Sequence, residues 1–317
     1  MHDAELRDAA ELRFEPHGHP CRSVVAPLAG RLRWSDGPAG QRRAFRSKGT
    51  CYATRSLARF APSPRLRDRV ASIDIVEVDG GDTIVLPSTS AVLGIQFRGR
   101  VRAGDTLLAR AGVTGIQSTA RTYSYERGTG SLLVRFTPQG AACLGVPVAE
   151  LANRSVALDD FLPRARVAEV HERLGDANDT SERVAVLESF LDELHHTSDP
   201  LVTRALALLD RGAESVNVSA AACALGLSER QLERRFLAQV GVTPKRFAML
   251  RRFERAAAGA NTAPSLTAAA LEAGYYDQSH FIREFRRFAG GAPREFFGPP
   301  GRSLSIEAAR VFRRPAG

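Results

Sequence analysis

Lysine is nearly missing from this chain of 317 residues: Lys48 and Lys245 are the only two among 44 basic residues. Arginine supplies the rest, and against 35 acids it leaves a net charge of +9. Such a balance favours an anionic partner, most often nucleic acid. Arginine bias also follows from a G+C-rich genome, so charge alone decides little. Cysteine is sparse too. Cys21, Cys51, Cys143 and Cys223 stand far apart, with no CxxC pair and no histidine at zinc-finger spacing. Free thiols are expected, with Cys223 a small packing residue inside a helix. No uninterrupted stretch of about 18 apolar residues exists, so neither a transmembrane helix nor a membrane partner is predicted. The opening "MHDAELRDAAELRFEPHGHP" carries early acids and no apolar core, unlike a secretory signal, and a cytoplasmic location is expected. Histidine is absent from residues 62–160, which removes the ligands a metal-dependent barrel uses. No metal and no cofactor are expected.

Four segments can be read from what remains. Residues 1–61 form a basic leader. Between Pro20 and Phe60 the only acid is Asp36, against nine basic residues. Low hydrophobicity without periodicity predicts disorder there; the alternative is a tail that adds nonspecific phosphate affinity. Residues 62–197 are β-rich. "VASIDIVEV", "DTIVLP", "AVLGIQF", "LLARAGVTGI", "ARTYSYE" and "SLLVRF" read as strands, with turns at Gly80-Gly81, Arg98-Gly99-Arg100 and Gly128-Thr129-Gly130. Short strands at regular spacing predict a small sheet or barrel. "TPQGAACLGVPVAELANRSVALDDFL" then reads as turns and short helices, followed by helices over 164–174 and 180–195. The second of these carries Val184, Leu187, Leu191 and Leu194 in one apolar stripe. That stripe is either a homodimer seam or a face packed on its own domain. Tyr123, Tyr125, Arg135 and Phe136 are candidate lining for a small-molecule effector pocket, of which strand alternation removes about half.

The polar break "HHTSDP" marks a boundary. Residues 198–300 are helical, and 301–317 are a tail. The helical part contains a repeat, "VSAAACALGLSERQLERRFLAQVGVTP" against "SLTAAALEAGYYDQSHFIREFRRFAGGAP". Each copy has a short Ala-rich helix, a glycine turn, a second helix and a closing Gly-x-x-Pro. Leu232 and Phe236 correspond to Phe281 and Phe285, 49 residues on. Helix, glycine turn and helix make a helix-turn-helix. Ser228 and Asp277 are natural N-caps of the second helices. A 100° step puts Leu232, Phe236 and Val240, and Phe281, Phe285 and Phe288, on buried sides. Beside them lie Glu229, Arg230, Glu233 and Arg234 in the first copy, and Gln278, Ser279, Ile282, Arg283 and Arg286 in the second. On such an arc Gln reads adenine, Arg reads guanine, Glu accepts from cytosine and an apolar side chain meets a thymine methyl. Arginine on phosphate positions without specifying. His280 lies off the arc, where packing or phosphate contact suits it. Between the copies, "PKRFAMLRRFERAAAGA" is one helix starting at Pro244, with Phe247, Leu250 and Phe253 apolar. It is suited to hold two units about one DNA turn apart.

At "LGLSERQLERRF", "GVTPKRF", "RRFERA" and "AGYYDQSHFIREFRRFAG" the chain resembles the DNA-binding domain of AraC/XylS-type transcription regulators, over about a third of its length. The resemblance implies two helix-turn-helix units joined by a helix, behind a variable effector or dimerisation domain. It implies double-stranded DNA as partner, activation or repression as outcome, and RNA polymerase as a further partner of an activator. Base-contacting positions carry over to Arg230, Glu233, Arg234, Gln278, Ser279, Ile282 and Arg283. Residues 62–195 also resemble a sensor-like domain found ahead of such units. Three features depart from the pattern: Ala269-Ala270 for Ile-Ala, "GGAP" at the close, and Arg251 at a commonly apolar position. Missing methylenes, at about 0.8 kcal/mol each, predict a second unit looser than the first. The expected fold class is α+β, a β-rich sensor-like domain followed by an all-α domain with two helix-turn-helix units. The expected function is sequence-specific regulation of transcription. The alternatives are a nonspecific basic nucleic-acid binder and a DNA-targeted enzyme. The latter requires an activated nucleophile; Cys143 has no nearby histidine in sequence, and no catalytic residue is expected.

Overall fold

The computed structural model describes residues 51–195, 198–211, 217–260 and 263–297. Nine antiparallel strands build one sheet: β1 (Cys51–Phe60), β2 (Val70–Val85), β3 (Val92–Arg98), β4 (Val101–Ala103), β5 (Thr106–Leu107), β6 (Ala111–Thr114), β7 (Arg121–Tyr125), β8 (Thr129–Phe136) and β9 (Ser155–Ala157). Their order is β5-β4-β7-β2-β8-β3-β6-β9, with β1 on β2.

Three strands differ from expectation. Besides β1 and β2, the short β9 lies in the stretch read as turns and short helices, where long-range pairing with β6 makes it a strand. β1 falls within the stretch predicted to be a disordered leader, whose residues 1–50 lie outside the described residues. Its backbone is satisfied by long-range pairing to β2, such as Phe60 opposite Ile73, which local periodicity does not announce. Gly80-Gly81, predicted as a turn, is instead the interior of β2. With φ of +99° and +117° these glycines adopt a backbone few other residues tolerate. Beyond them β2 changes partner, from β8 over Val70–Val78 to β7 over Gly81–Val85. One long strand therefore serves both halves of a half-barrel.

Alternation divides the sheet into two faces. Leu132, Val134 and Phe136 of β8 join Leu93 and Ile95 of β3 and Ile73 and Ile75 of β2 in one core. Helices α1 (Arg164–Asp176) and α2 (Thr180–Asp192) cover it. Leu187, Leu191 and Leu194 are buried in that core and Val184 packs beside them, so the stripe is spent on its own sheet. Ser131, Leu133 and Arg135 point the other way, into a cavity, together with Tyr123 and Tyr125. Phe136, also a candidate for pocket lining, belongs to the helix-covered core instead.

The remaining helices are α3 (Pro200–Arg211), α4 (Val218–Ala224), α5 (Glu229–Val240), α6 (Pro244–Gly259), α7 (Leu266–Glu272), α8 (Gln278–Ala289) and α9 (Pro293–Phe296). The fold is α+β, a β-rich N-terminal part followed by helices. α4 and α5 make one helix pair and α7 and α8 another. α6 runs between them: Phe247 meets Phe236 at 5.5 Å, and Phe253 meets Phe285 and Phe288 at 5.3 and 5.0 Å. Ala269 and Ala270 are fully buried. A Cβ on Gly259 of α6 would lie 3.5 Å from that of Ala269, so small residues bring α7 close to α6. Tyr275, Phe296 and Phe297 then pack around Phe281 and Phe285 at 5.2–5.4 Å. Close approach and aromatic rings thus meet the isoleucine volume missing from the sequence. Cys223 is exposed rather than packed, because seven-residue α4 buries Ala221 and Ala222 and turns the next side chain outward. Among the described residues no helix is long and apolar enough to cross a membrane.

Candidate nucleic-acid interface

α5 starts from a capping box. The Ser228 hydroxyl accepts from the Gln231 N–H at 3.3 Å, and Gln231 Oε1 accepts from the Ser228 N–H at 2.9 Å. α8 starts from Asp277, whose carboxylate accepts from the His280 N–H at 2.6 Å. Leu232, Phe236 and Val240 hold α5 down, and Phe281, Phe285 and Phe288 hold α8 down, each at most 1% exposed. The neighbouring arcs face outward. Arg230, Glu233, Arg234, Gln278, Ser279, Arg283 and Arg286 are exposed, and Ile282 is half-buried. Among the described residues none of those four arginines forms an ion pair, whereas Arg235 is committed to Asp199 at 2.7 Å and Arg252 to Glu284 at 2.6 Å. Gln278 Oε1 accepts from the Thr267 hydroxyl at 3.1 Å, tying α8 to α7.

The face of α8 away from the arc is anchored by charge as well as by rings. Glu284 is buried beneath Arg252 of α6, with His280 and Arg287 at 3.8 and 3.9 Å. The Arg252 guanidinium lies 4.5 Å over the Tyr275 ring, and burial raises the Tyr275 phenol pKa. His280 packs edge-on against Tyr275 at 5.2 Å, off the exposed arc. At its C-terminus α8 has carbonyls without helical partners. The Phe288 carbonyl accepts from the Ala120 N–H at 2.7 Å, a donor in the loop between β6 and β7. From α6, Arg246 donates to the Ser118 carbonyl at 3.2 Å in that loop and lies 5.4 Å over the Phe288 ring.

Residues 221–298, from within α4 to just beyond α9, match the family model of a helix-turn-helix domain. The C-terminal region is an AraC-type helix-turn-helix domain. Such domains belong to DNA-binding transcription regulators. No curated protein matches the chain. Among solved structures, an apo form of a ToxT variant from Vibrio cholerae strain SCE256 is similar at 11% identity, covering 71% of this chain and 95% of that one, with a TM-score of 0.40. ToxT from Vibrio cholerae O395 is similar at 12% identity, covering 77% and 96%, with a TM-score of 0.39. The AraC-like transcriptional activator CuxR is similar at 14% identity, covering 66% and 82%, with a TM-score of 0.27. Likeness at this level decides nothing about this chain.

The C-terminal helices are joined to the sheet by contacts that the sequence does not announce. Gln139 donates to the Thr203 hydroxyl at 2.8 Å and accepts from the Asp199 N–H at 3.2 Å, at the start of α3. Leu86 and Ile116, from loops of the sheet, are buried in the helical core. Arg251, the departure from the apolar pattern, pairs with Asp210 of α3 and with Glu254, both at 2.8 Å.

The concave face of the sheet encloses a cavity of about 350 Å³. Arg121 of β7 spans it, donating to Ser155 Oγ of β9 at 2.9 Å, and Ser155 shares a hydrogen bond of 2.8 Å with Thr114 Oγ1. Among the described residues no carboxylate lies within ion-pair distance of Arg121. Arg135 donates to Asp74 at 3.2 Å, a carboxylate that also receives Arg59 at 2.6 and 3.0 Å. Burial lowers the Arg135 pKa while Asp74 opposes the shift; burial raises that of Tyr123 while Arg121 opposes it. Ser131 lines the cavity at 2% exposure, and its Oγ has no hydrogen-bond partner among the described residues. Arg121 and Ser131 were not among the residues singled out in the sequence. Period-two alternation gives their signal, since they share faces with Tyr123 and Tyr125 and with Leu133 and Arg135.

Proposed function

We propose that this protein is a sequence-specific regulator of transcription that sets α5 and α8 into successive major-groove segments of double-stranded DNA. The observation that supports it most directly is the division of both helices. Each has one fully buried apolar face and, beside it, an exposed arc whose arginines have no carboxylate partner among the described residues. On this reading Arg230, Arg234, Arg283 and Arg286 reach guanine or phosphate, Gln278 reads adenine, Ser279 adds a hydroxyl, Glu233 accepts from cytosine and Ile282 meets a thymine methyl. α6 has 16 residues and a length of about 24 Å, and it spaces two helix-turn-helix units for one face of the duplex. Residues 198–300 are then the DNA-binding domain. The sheet with α1 and α2, which takes in β1 as well as residues 62–197, is the effector or dimerisation domain, with the cavity as effector pocket; its volume is that of small-molecule sites. An activator of this design works on RNA polymerase.

Binding by phosphate attraction alone fits less well, because Glu229 and Glu233 stand exposed on the α5 arc and repel phosphate. Genome-wide recovery of bound fragments, with footprinting of one site, separates the two. Two protected segments about one helical turn apart are expected. Protection without sequence preference overturns the proposal.

A further inference from the structure

The two helix pairs turn by the same device and then part by one residue. In the first, the Leu227 N–H, just past the left-handed Gly226, returns to the Ala222 carbonyl at 2.9 Å. In the second, the Tyr275 N–H, just past the left-handed Gly274, returns to the Ala270 carbonyl at 3.0 Å. Both closures are of the kind that ends a helix on glycine. Leu227 and Tyr275 therefore hold equivalent positions, and both pack into the helical core. Ser228, the cap of α5, follows Leu227 directly. Asp277, the cap of α8, follows Tyr275 only after one further residue, Tyr276.

That inserted tyrosine buries almost nothing. It is 89% exposed, while the next most exposed large hydrophobic among the described residues, Leu271, is 53% exposed. A tyrosine ring left in water adds little to folding, but at an interface it offers an apolar face and a hydroxyl donor. Its place is beside the exposed arc. Gln278, which opens the arc and is tied to Thr267 of α7, lies two residues on, at most about 7 Å of chain. When a helix-turn-helix docks, the start of its second helix enters the groove and its first helix crosses the backbone. A residue just ahead of the cap then stands at the edge of the groove, where the phosphates are. Two carboxylates are near in sequence: Asp277, spent on the His280 N–H at 2.6 Å, and the exposed Glu272. An arginine at this place would be drawn to them, whereas a phenol carries no charge for them to capture.

We infer that Tyr276 is a positioning residue of the DNA complex: its hydroxyl donates to a phosphate at the edge of the major-groove segment that takes α8, and its ring lies on the adjoining deoxyribose. This rests on reading α8 as a groove helix. It goes further by adding a contact outside the arc, one that sets the register of α8 without reading a base. The first helix pair has no counterpart, because Leu227 is turned into the core. The two DNA segments are therefore held unequally.

The test uses the full-length protein and a recovered DNA fragment in which single phosphates are replaced in turn by neutral methylphosphonates. Tyr276→Phe is expected to weaken binding to the unmodified fragment about tenfold, the loss of one hydrogen bond to a charged acceptor, and Tyr276→Ala at least as much. Wild type should lose a similar factor at one methylphosphonate bordering the α8 segment, and Tyr276→Phe should be indifferent to that replacement. Sequence preference and melting temperature should stay at wild type, because the side chain reads no base and stands in water. Salt dependence should also be unchanged, unlike that of an arginine variant. Equal affinity of wild type and Tyr276→Phe for a fragment with two protected segments overturns the inference and leaves the proposed function standing. A changed sequence preference puts the ring on a base and overturns the phosphate contact. Unchanged DNA binding with lost transcription in a reconstituted polymerase assay gives Tyr276 to a protein partner and overturns it as well. If wild type protects no specific segment, this inference and the proposed function fall together.

Discussion

Thr89 holds Glu254 with both of its donors: its N–H reaches Oε1 at 2.8 Å and its hydroxyl reaches Oε2 at 2.9 Å. The two residues are 165 positions apart, one in the loop between β2 and β3, the other on α6. Both are buried. Leu86, Ser88 and Ser90 of the same loop line the cavity, and Leu86 also enters the helical core. Glu254 in turn holds Arg251, which holds Asp210. The cavity wall and the helix between the two helix pairs are therefore one continuous set of contacts. Ser88 and Ser90 of the cavity wall flank Thr89, which bears directly on α6.

Removing the acceptor tests that link. Glu254→Ala leaves a buried N–H and a hydroxyl at Thr89 without partners and strips Arg251 of one carboxylate. A loss of about 1–3 kcal/mol in urea unfolding is expected. Thr89→Val keeps the N–H bond and should lose about 1 kcal/mol. If Glu254→Ala is as stable as wild type, the contact does not bind sheet to helices.

The exposed arcs make a separate prediction. Arg234→Ala and Arg283→Ala should each weaken binding to a recovered site by about 1–3 kcal/mol if they read bases. Arg235, already paired with Asp199, should leave sequence preference unchanged when replaced by alanine. Anisotropy titrations at fixed salt give both numbers, and affinity should fall steeply as salt rises. Normal affinity in both arc variants would falsify the docking geometry.

These residues also show what the sequence made legible. Helical periodicity and N-cap chemistry are local, so α5, α8, Ser228 and Asp277 could be read with their buried and exposed faces. Strand alternation is equally local, which made the sheet readable in outline. What escaped was non-local. β1 owes its order to pairing with β2, and Gly80-Gly81 resembles a turn until β2 is seen to exchange β8 for β7. Thr89, Gln139 and Ala120 carry no signature of their own; partners 165, 60 and more residues away give them their roles. The cavity face of β8 was legible in principle, but only the sheet order brings Arg121 and Ser155 together across the opening.

Two glycines separate backbone strain from contact. Gly226 and Gly241 both adopt positive φ, +68° and +84°. A Cβ at Gly226 meets nothing within 4 Å, while one at Gly241 comes within 2.6 Å of the Val148 carbonyl oxygen, in the segment where the sheet region touches the end of α5. Gly226→Ala should therefore cost about 1 kcal/mol, the left-handed penalty alone. Gly241→Ala should cost about 1–3 kcal/mol more, because one backbone must retreat from the other. Equal melting temperatures for the two variants would mean that α5 does not rest on Val148.

Thiol chemistry reports on the sheet core. Burial pushes the Cys143 thiol from the ordinary 9.0 up to about 12, whereas Cys223 is exposed. Alkylation at pH 9 followed by peptide mapping should modify Cys223 in the native protein and Cys143 only after unfolding. The sign of the pH effect follows. Below pH 9 the thiol is neutral in both states; between 9.0 and about 12 the unfolded chain ionises first, so stability falls over that window. Cys143→Ala should flatten that part of the profile. Rapid native modification of Cys143 would show that this core opens.

Ala269 settles whether the second helix pair is loose or filled. The resemblance places isoleucine there, and restoring it to an underfilled core should gain about 0.8 kcal/mol per buried methylene. The geometry argues otherwise. Ala269 is 1% exposed and would stand 3.5 Å from a Cβ at Gly259, so α7 already lies against α6. Extra volume must push the helices apart or force a strained rotamer, at about 1–3 kcal/mol. Ala269→Ile is therefore expected to destabilise the protein and to speed amide exchange over residues 265–290 relative to 218–240. A stabilising Ala269→Ile would instead mean that the second pair is underfilled, and that its exposed arc becomes ordered only on DNA.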